Sequence, residues 1–183
     1  MQKYSSKMTS VNTSKAPVVW KKLNLTLFKD HVNVVDYGAG RKATSEKVYL
    51  LLATLFEAQG TKLNYFPYDP YWQEEGVNRN AISCLTYHGT CDLCVCANVL
   101  NVVDYDTIVS IIKEVTKAKN WIFQIYEGDR TGEGKETKFD CFQQNKLTKD
   151  YVWIFNETLR ETGFRGQYFV KGNFITNNLN LLK

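Results

Sequence analysis

The feature that most constrains this chain is a short apolar run that ends in two glycines and leads into a helical repeat. The run Val32–Asp36 is followed by Gly38 and Gly40, and apolar residues then recur at helical spacing from Val48 to Phe56. An apolar run of this length predicts a buried strand, and the spacing beyond it predicts a helix with one apolar face. We therefore expect a strand, a glycine turn and a helix, the start of a β-α-β unit.

Strand patterns recur along the rest of the chain. Further strands are predicted at Leu63–Asp69, weakly at Ile82–Leu85, at Asp92–Ala97 and Trp121–Tyr126, and as a closing hairpin at Tyr168–Val170 and Phe174–Thr176. Pro67 and Pro70 are expected to mark where the second strand leaves the sheet. With helices between the strands, the pattern predicts an α/β fold: a single doubly wound, Rossmann-like sheet, mostly parallel, with a C-terminal antiparallel hairpin.

The helices are predicted from capping residues and apolar spacing. The first is expected to be capped by Thr44 or Ser45, a second by Asp104 or Asp106, and a third covers Thr148–Glu161. The segment from residue 127 to residue 145 is rich in glycine, threonine and charge. Loops of this length inside a compact domain are usually functional or mobile.

Length and composition favour one globular domain, residues 31–183, behind a basic N-terminal arm with a first helix, residues 1–30. The chain has 183 residues, of which 44% are hydrophobic, a balance that suits one core and excludes disorder. The arm contains six lysines and one aspartate, which suits contact with a phosphate backbone or a solvated tail. No apolar run approaches the roughly 20 residues that cross a bilayer, and no secretory signal is apparent, so we expect a cytoplasmic protein without membrane partners.

The five cysteines are expected to be thiols, because the chain shows no secretory signal. Cys84, His88, Cys91, Cys94 and Cys96 form a cluster with the Cys-x2-Cys spacing of half a zinc site. No second knuckle supplies the other half, and two of these cysteines lie in the apolar run of a predicted strand. We predict no metal site, with zinc binding or thiol catalysis at this cluster as alternatives.

The glycine turn is the best candidate for a ligand site. Glycines let a backbone approach a ligand closely, and the next helix presents free N–H groups to an anionic group. In an open α/β sheet, ligands bind at the carboxyl ends of the strands, where the strand order reverses. Asp69, at the end of the second predicted strand, could accept both hydroxyls of a ribose, which favours a nucleoside cofactor. In the structural alternative, the glycines serve only a tight turn.

Two classes of nucleoside cofactor are compatible with this turn. Gly38, Gly40 and Ala43 satisfy the glycine spacing of the dinucleotide fingerprint. The acid of that fingerprint lies about 20 residues on, whereas Asp69 is 29 residues beyond Gly40. Asp36 is extra to the fingerprint, and it could meet the ammonium of an amino-acid moiety. A cofactor with an amino-acid moiety is therefore favoured, and a nicotinamide dinucleotide is the alternative.

The turn resembles the first motif of the class I S-adenosylmethionine-dependent methyltransferases. An acidic residue followed by two spaced glycines is matched by Asp36–Gly40, and the second-strand acid of that family is matched by Asp69. Other stretches resemble small, mostly uncharacterised methyltransferases of phages and mobile elements, namely Thr13–Pro17, Cys96–Val103, Tyr126–Gly128 and Thr131–Lys138. The resemblance runs over most of the chain and implies an S-adenosylmethionine-binding domain in residues 31–183.

The resemblance also implies which residues bind the cofactor: Asp36, Tyr37, Gly38, Ala39, Gly40, Asp69, Pro70, Tyr71, Asn98 and Val99. The turn residues would lie under the methionine part, and Asp69 would bind the ribose. Pro70 and Tyr71 would lie along the adenine. Asn98 and Val99 would lie beside the sulfonium and its methyl group.

The implied reaction is transfer of the methyl group from the sulfonium to an acceptor by in-line displacement. The cofactor already carries the activated group, so the protein supplies mainly positioning and electrostatics. Asn98, Tyr126 and Glu127 are the candidate catalytic residues, and Asp104 is a further candidate base.

The acceptor is not identified by sequence. The chain lacks the Asn-Pro-Pro-aromatic and Pro-Cys motifs of DNA methyltransferases, although the basic arm is compatible with a nucleic acid. The alternative function is a non-catalytic module that binds S-adenosylmethionine or a partner. For a phage-encoded chain, the expected location is the host cytoplasm.

Overall fold

The computed structural model describes residues 15–87, 89–138 and 141–183. Its strands are β1 (His31–Tyr37), β2 (Lys62–Tyr68), β3 (Leu93–Ala97), β4 (Asn120–Gln124), β5 (Lys135–Lys138), β6 (Cys141–Gln143), β7 (Phe169–Lys171) and β8 (Phe174–Thr176). Six strands form one sheet in the order β2-β1-β3-β4-β8-β7, and β5 pairs with β6 separately. The described helices are α1 (Val19–Lys22), α2 (Lys42–Glu57), α3 (Glu75–Thr86), α4 (Tyr105–Val115) and α5 (Val152–Glu161).

The large sheet is parallel through its first four strands and closes with an antiparallel hairpin. β1 pairs in parallel with β2 and with β3, and β3 pairs in parallel with β4. β8 is antiparallel to both β4 and β7. The predicted fold class, a mostly parallel α/β sheet with a C-terminal antiparallel hairpin, is confirmed.

Helices cover both faces of the sheet. On one face, α2 packs Val48, Leu52 and Phe56 into a core cluster that also contains Trp20 of α1. On the other face, α3, α4 and α5 pack together against alternate residues of the same strands. Side chains of a strand point alternately to the two faces, so β3, which is covered on both, is buried at every position.

The weak strand predicted at Ile82–Leu85 is wrong, because this segment belongs to the helix α3. The buried residues of α3 are Ala81, Cys84 and Leu85, which recur three and four positions apart. This spacing places them on one helical face. The helix buries few residues, so its apolar periodicity is short and resembles that of a strand.

Two local predictions also differ from the structure. α2 begins at Lys42 with Arg41 at the N-cap, not at Thr44 or Ser45. β2 continues through Pro67, which pairs in register with Asp36. β2 is an edge strand, where a residue without an N–H group is tolerated when that position faces away from the partner strand.

The other predicted boundaries hold to within a few residues. Asp104 caps α4 by accepting the Thr107 N–H at 2.8 Å, and this hydrogen bond lowers the pKa of Asp104. The long segment predicted as a loop contains the β5–β6 pair.

Among the helices that the structure describes, none has the length and apolar character that crossing a bilayer requires.

Candidate functional site

The candidate site lies at the carboxyl edge, the side of the sheet where β1, β2, β3 and β4 end. The chain passes from β1 through α2 to β2 on one side, and then through α3 to β3 on the other. Strand order therefore reverses between β1 and β3, which is where open α/β sheets bind ligands. Gly38, Asp69, Asn98 and Tyr126 each lie within two residues of the end of one of these strands.

The glycine turn is held against the neighbouring chain segments. Gly38 has a φ of +87°, and its N–H and that of Ala39 both donate to the Tyr68 carbonyl, at 2.8 and 2.9 Å. A Cβ atom on Gly38 would overlap Cγ2 of Val99. Gly38 is thus required both for the turn conformation and for the close approach of β1 to the segment after β3.

Asp69 organises the loop that follows β2. Its Oδ2 accepts the Gly40 N–H at 3.1 Å, and its Oδ1 accepts the N–H groups of Tyr71 and Trp72 at 3.0 and 3.2 Å. Burial raises the pKa of Asp69, and these hydrogen bonds oppose that rise. A carboxylate offers about four acceptor positions, so about one position is left for a ligand hydroxyl.

Side chains that the sequence did not single out complete this loop. Asn78 of α3 exchanges two hydrogen bonds of 3.0 Å with the backbone of Asp69. Gln73 donates to the Gly40 carbonyl at 2.8 Å, and the Arg41 guanidinium lies 4.4 Å from the ring centre of Trp72. Amide side chains carry no characteristic spacing, so only the fold shows that they meet here.

Asp36 is buried on the face of the sheet that α2 covers. It is 3% exposed, and its Oδ2 accepts the Tyr65 hydroxyl at 2.6 Å. Burial raises the pKa of Asp36 to about 7, although the Tyr65 hydrogen bond lowers it in part. Tyr37 is also buried, with its ring 4.5 Å from that of Tyr68. These contacts favour a structural role for Asp36 over direct contact with a ligand ammonium.

The segment after β3 contains two buried amide oxygens without a hydrogen-bond partner in the described residues. Asn98 has a φ of +60°, its N–H donates to the Gln124 carbonyl at 2.8 Å, and its Oδ1 is unpaired. Asn101, three residues further on, is 3% exposed, and its Oδ1 is likewise unpaired. A buried acceptor without a donor costs about 1–3 kcal/mol. Both oxygens are therefore without a donor among the described residues, and either could accept one from a residue or molecule beyond them.

The other two candidate catalytic residues differ in their contacts. Tyr126 is 47% exposed just beyond β4. Glu127 accepts the Thr148 N–H and hydroxyl at 2.9 and 2.7 Å, and the Arg130 Nε lies 3.1 Å from its other oxygen. Burial raises the pKa of Glu127, but the Thr148 and Arg130 contacts outweigh it and lower the pKa. A carboxylate held in this way anchors the helical turn Thr148–Tyr151, just before α5, and is a weak base.

Four cysteines of the predicted cluster are buried thiols: Cys84, Cys91, Cys94 and Cys96. His88, the fifth member, lies outside the described residues, as do residues 1–14 of the basic arm. Within the ranges that the structure describes, no group of three or more metal-ligating side chains occurs. Burial raises the pKa of Cys94 and Cys96 well above the ordinary value, so neither thiol is an activated nucleophile.

The carboxyl edge fits a nucleoside sulfonium in part. Asp69 has one acceptor position for a ribose hydroxyl, and the unpaired Asn98 oxygen suits a donor or a positive charge. Pro70 and Tyr71 are exposed beside Asp69. Two ribose hydroxyls on Asp69 would require the Gly40 N–H to move away.

Comparison with known proteins finds a structural likeness at low sequence identity. No protein-family model matches the chain, and no curated protein matches it. Among solved structures, the chain is similar to the pyocyanin biosynthetic protein PhzM, with 9% sequence identity and a TM-score of 0.41. The match covers 83% of this chain and 51% of that one, so the chain spans about half the length of that structure.

Proposed function

We propose that this chain binds S-adenosylmethionine at the carboxyl edge and transfers its methyl group to an acceptor. The observation that carries the proposal is the convergence of the glycine turn, Asp69 and Asn98 where strand order reverses between β1 and β3. Such a reversal is the usual ligand position in open α/β sheets. The bound cofactor would supply an activated methyl group on a sulfonium.

Each residue of the edge has a defined part in this proposal. Gly38–Gly40 would lie under the methionine moiety, and the remaining acceptor position of Asp69 would take one ribose hydroxyl. Pro70 and Tyr71 would lie along the adenine, and the partial negative charge of the Asn98 oxygen would face the sulfonium. Resemblance to small methyltransferases of phages and mobile elements supports a cytoplasmic site of action in a host.

Calorimetric titration tests the cofactor directly. We expect the purified protein to bind S-adenosylmethionine and S-adenosylhomocysteine but not NADH. In Asp69→Asn, the amide oxygen can still accept the Tyr71 and Trp72 N–H groups, but the amide nitrogen can accept neither the Gly40 N–H nor a ligand hydroxyl. This variant should bind about tenfold or more weakly, as expected for loss of one hydrogen bond to a charged group.

The matched control is Asp92→Asn at the opposite edge of the sheet. Asp92 also accepts a backbone N–H, that of Asn33 at 2.9 Å, and it pairs with Lys119 at 2.8 Å. The Asp92→Asn variant measures the effect of losing a structural carboxylate far from the site. Its affinity for the cofactor should equal that of the parent protein. Preference for NADH, or equal affinity of both variants and the parent protein, would overturn the proposed cofactor site.

A second candidate function is a binding module without catalysis. It is favoured by the hydrogen bonds within the carboxyl edge, because the N–H groups of Gly38, Ala39 and Gly40 all donate to other residues of the chain. Incubation with tritiated S-adenosylmethionine and fractions of a host lysate separates the two. Label entering DNA, RNA, protein or a small molecule supports the enzyme, whereas tight binding without transfer supports the module.

A further inference from the structure

Two aromatic rings stack on each other in an exposed position. The rings of Tyr105 and Trp153 are 5.6 Å apart and nearly parallel, with an interplanar angle of 14°. Their side chains are nevertheless 45% and 52% exposed. Single exposed apolar residues need no explanation, but a stacked pair that is half open to water offers a flat platform for another planar ring.

The pair lies at the carboxyl edge. Tyr105 is the first residue of α4, which follows β3, and Trp153 is the second residue of α5. α5 packs over β4, where the ring of Phe155 lies 4.9 Å from that of Phe123. Exposed Tyr126 follows the end of β4. Three exposed aromatic side chains thus share the edge that contains the proposed methyl-transfer site.

Cationic side chains lie on the β8 side of the same edge. Exposed Lys171 ends β7 opposite Phe174, and the Lys22 ammonium lies 5.3 Å from the Phe174 ring centre. The Val19 N–H donates to the Gln124 side chain, at the end of β4, at 2.8 Å. The segment that begins with exposed Lys15 therefore reaches the sheet at this edge.

The charges are not evenly distributed along the edge. Asp104 and Asp106 lie beside Tyr105 at the start of α4, so the stacked pair itself has acidic neighbours. Lys22 and Lys171 lie beside Phe174 instead, whose side chain is on the face of the sheet that α2 covers. A ligand that contacts both the stacked aromatic pair and the lysines must carry planar rings and negative charges in separate parts of the molecule.

We propose that the carboxyl edge binds a single-stranded polynucleotide, and that this polynucleotide is the methyl acceptor. Its bases would stack on Tyr105 and Trp153, and its phosphates would lie near Lys15, Lys22 and Lys171. Unpaired bases are required because stacking on a protein ring needs a base face that a duplex does not offer. The acceptor role rests on the proposed methyltransferase function, whereas the binding does not.

Fluorescence anisotropy with labelled oligonucleotides of about twelve nucleotides tests the binding. Single-stranded RNA and DNA of mixed sequence form two arms, and a duplex and polyglutamate form two more. We expect one or both single strands to bind more tightly than the duplex and polyglutamate. Neutralisation of about three phosphates predicts roughly twentyfold weaker binding when salt rises from about 50 to about 200 mM.

Matched variants separate stacking from charge. Trp153→Ala should weaken binding about tenfold, and Trp153→Phe should restore most of the affinity. Tyr87→Ala, an exposed aromatic residue beyond the C-terminus of α3, should have no effect. Lys171→Ala should reduce the salt dependence, whereas Lys62→Ala, at the start of β2 on the opposite edge, should not.

Equal binding of single strands and duplex, or unchanged affinity in Trp153→Ala, would overturn this proposal. Preference for polyglutamate would overturn it too and would indicate an acidic protein partner. Calorimetry with S-adenosylmethionine measures cofactor binding independently of polynucleotide binding. Cofactor binding without polynucleotide binding defeats only this inference, and polynucleotide binding without cofactor binding defeats only the proposed function.

Discussion

Gly38 is the position where a single added methyl group should reveal how closely β1 approaches the segment after β3. Gly38→Ala places a side chain on a residue with a φ of +87°, where a Cβ atom would overlap Cγ2 of Val99. The left-handed conformation costs an alanine about 1–2 kcal/mol. Overpacking typically adds about 1–3 kcal/mol. We expect the free energy of unfolding to fall by about 2–5 kcal/mol.

The control for conformational strain is Gly60→Ala. Gly60 has a φ of +75°, but a Cβ atom there would meet no other atom within 4 Å. This variant should therefore lose only the conformational part, about 1–2 kcal/mol. The difference between the two variants measures the overlap with Val99.

A double-mutant cycle then identifies the atom responsible. Val99→Ala removes Cγ2 and leaves the Val99 Cβ 3.5 Å from the new methyl group, an ordinary contact. In the Val99→Ala background, Gly38→Ala should cost about as much as Gly60→Ala, which is a coupling of about 1–3 kcal/mol. Urea unfolding followed by circular dichroism measures each free energy, and unchanged m-values validate the comparison. Equal losses for Gly38→Ala and Gly60→Ala, or no coupling, would refute this packing.

Two further residues give quantitative stability predictions. Burial raises the pKa of Asp36 from 3.8 to about 7, so between these values the folded state keeps a proton that the unfolded state has released. Stability should fall by up to about 4 kcal/mol as the pH rises through this window, and Asp36→Asn should remove that part of the slope in urea titrations. Asp104→Ala removes the acceptor of the Thr107 N–H and should cost about 1 kcal/mol of unfolding free energy, whereas Asp104→Asn should keep most of it.

The elements that sequence predicted well are those whose signals are local. β3 was predicted from an unbroken apolar run, since burial on both faces removes the alternation of polar residues. The start of α4 was predicted from Asp104, because a cap acts within its own turn. α3 was missed because its buried residues are few and fall near one end of the helix.

The candidate site was predictable to the extent that it follows strand ends. Gly38 and Asp69 were placed at the edge from the strand pattern alone, and the fold puts them there. The sequence could not show how many acceptor positions of the Asp69 and Asp36 carboxylates are already used by hydrogen bonds within the chain. Asn78 contacts Asp69, and Tyr65 contacts Asp36, only because the fold brings them together. No spacing in the sequence predicts these contacts.

Asn101 provides a last test, because one substitution there is expected to change protein stability and ligand affinity in opposite directions. Its buried Oδ1 has no partner in the described chain, whereas the carboxylates of Asp36, Asp69 and Glu127 are bonded within it. Leucine has the same branching and the same number of side-chain heavy atoms without an unpaired oxygen, so Asn101→Leu should raise the free energy of unfolding by about 1–3 kcal/mol. If the oxygen accepts a donor from a bound molecule, the same variant should weaken binding of S-adenosylmethionine or of the oligonucleotide. A variant that is more stable and binds both as tightly as the parent would show that this oxygen serves neither ligand.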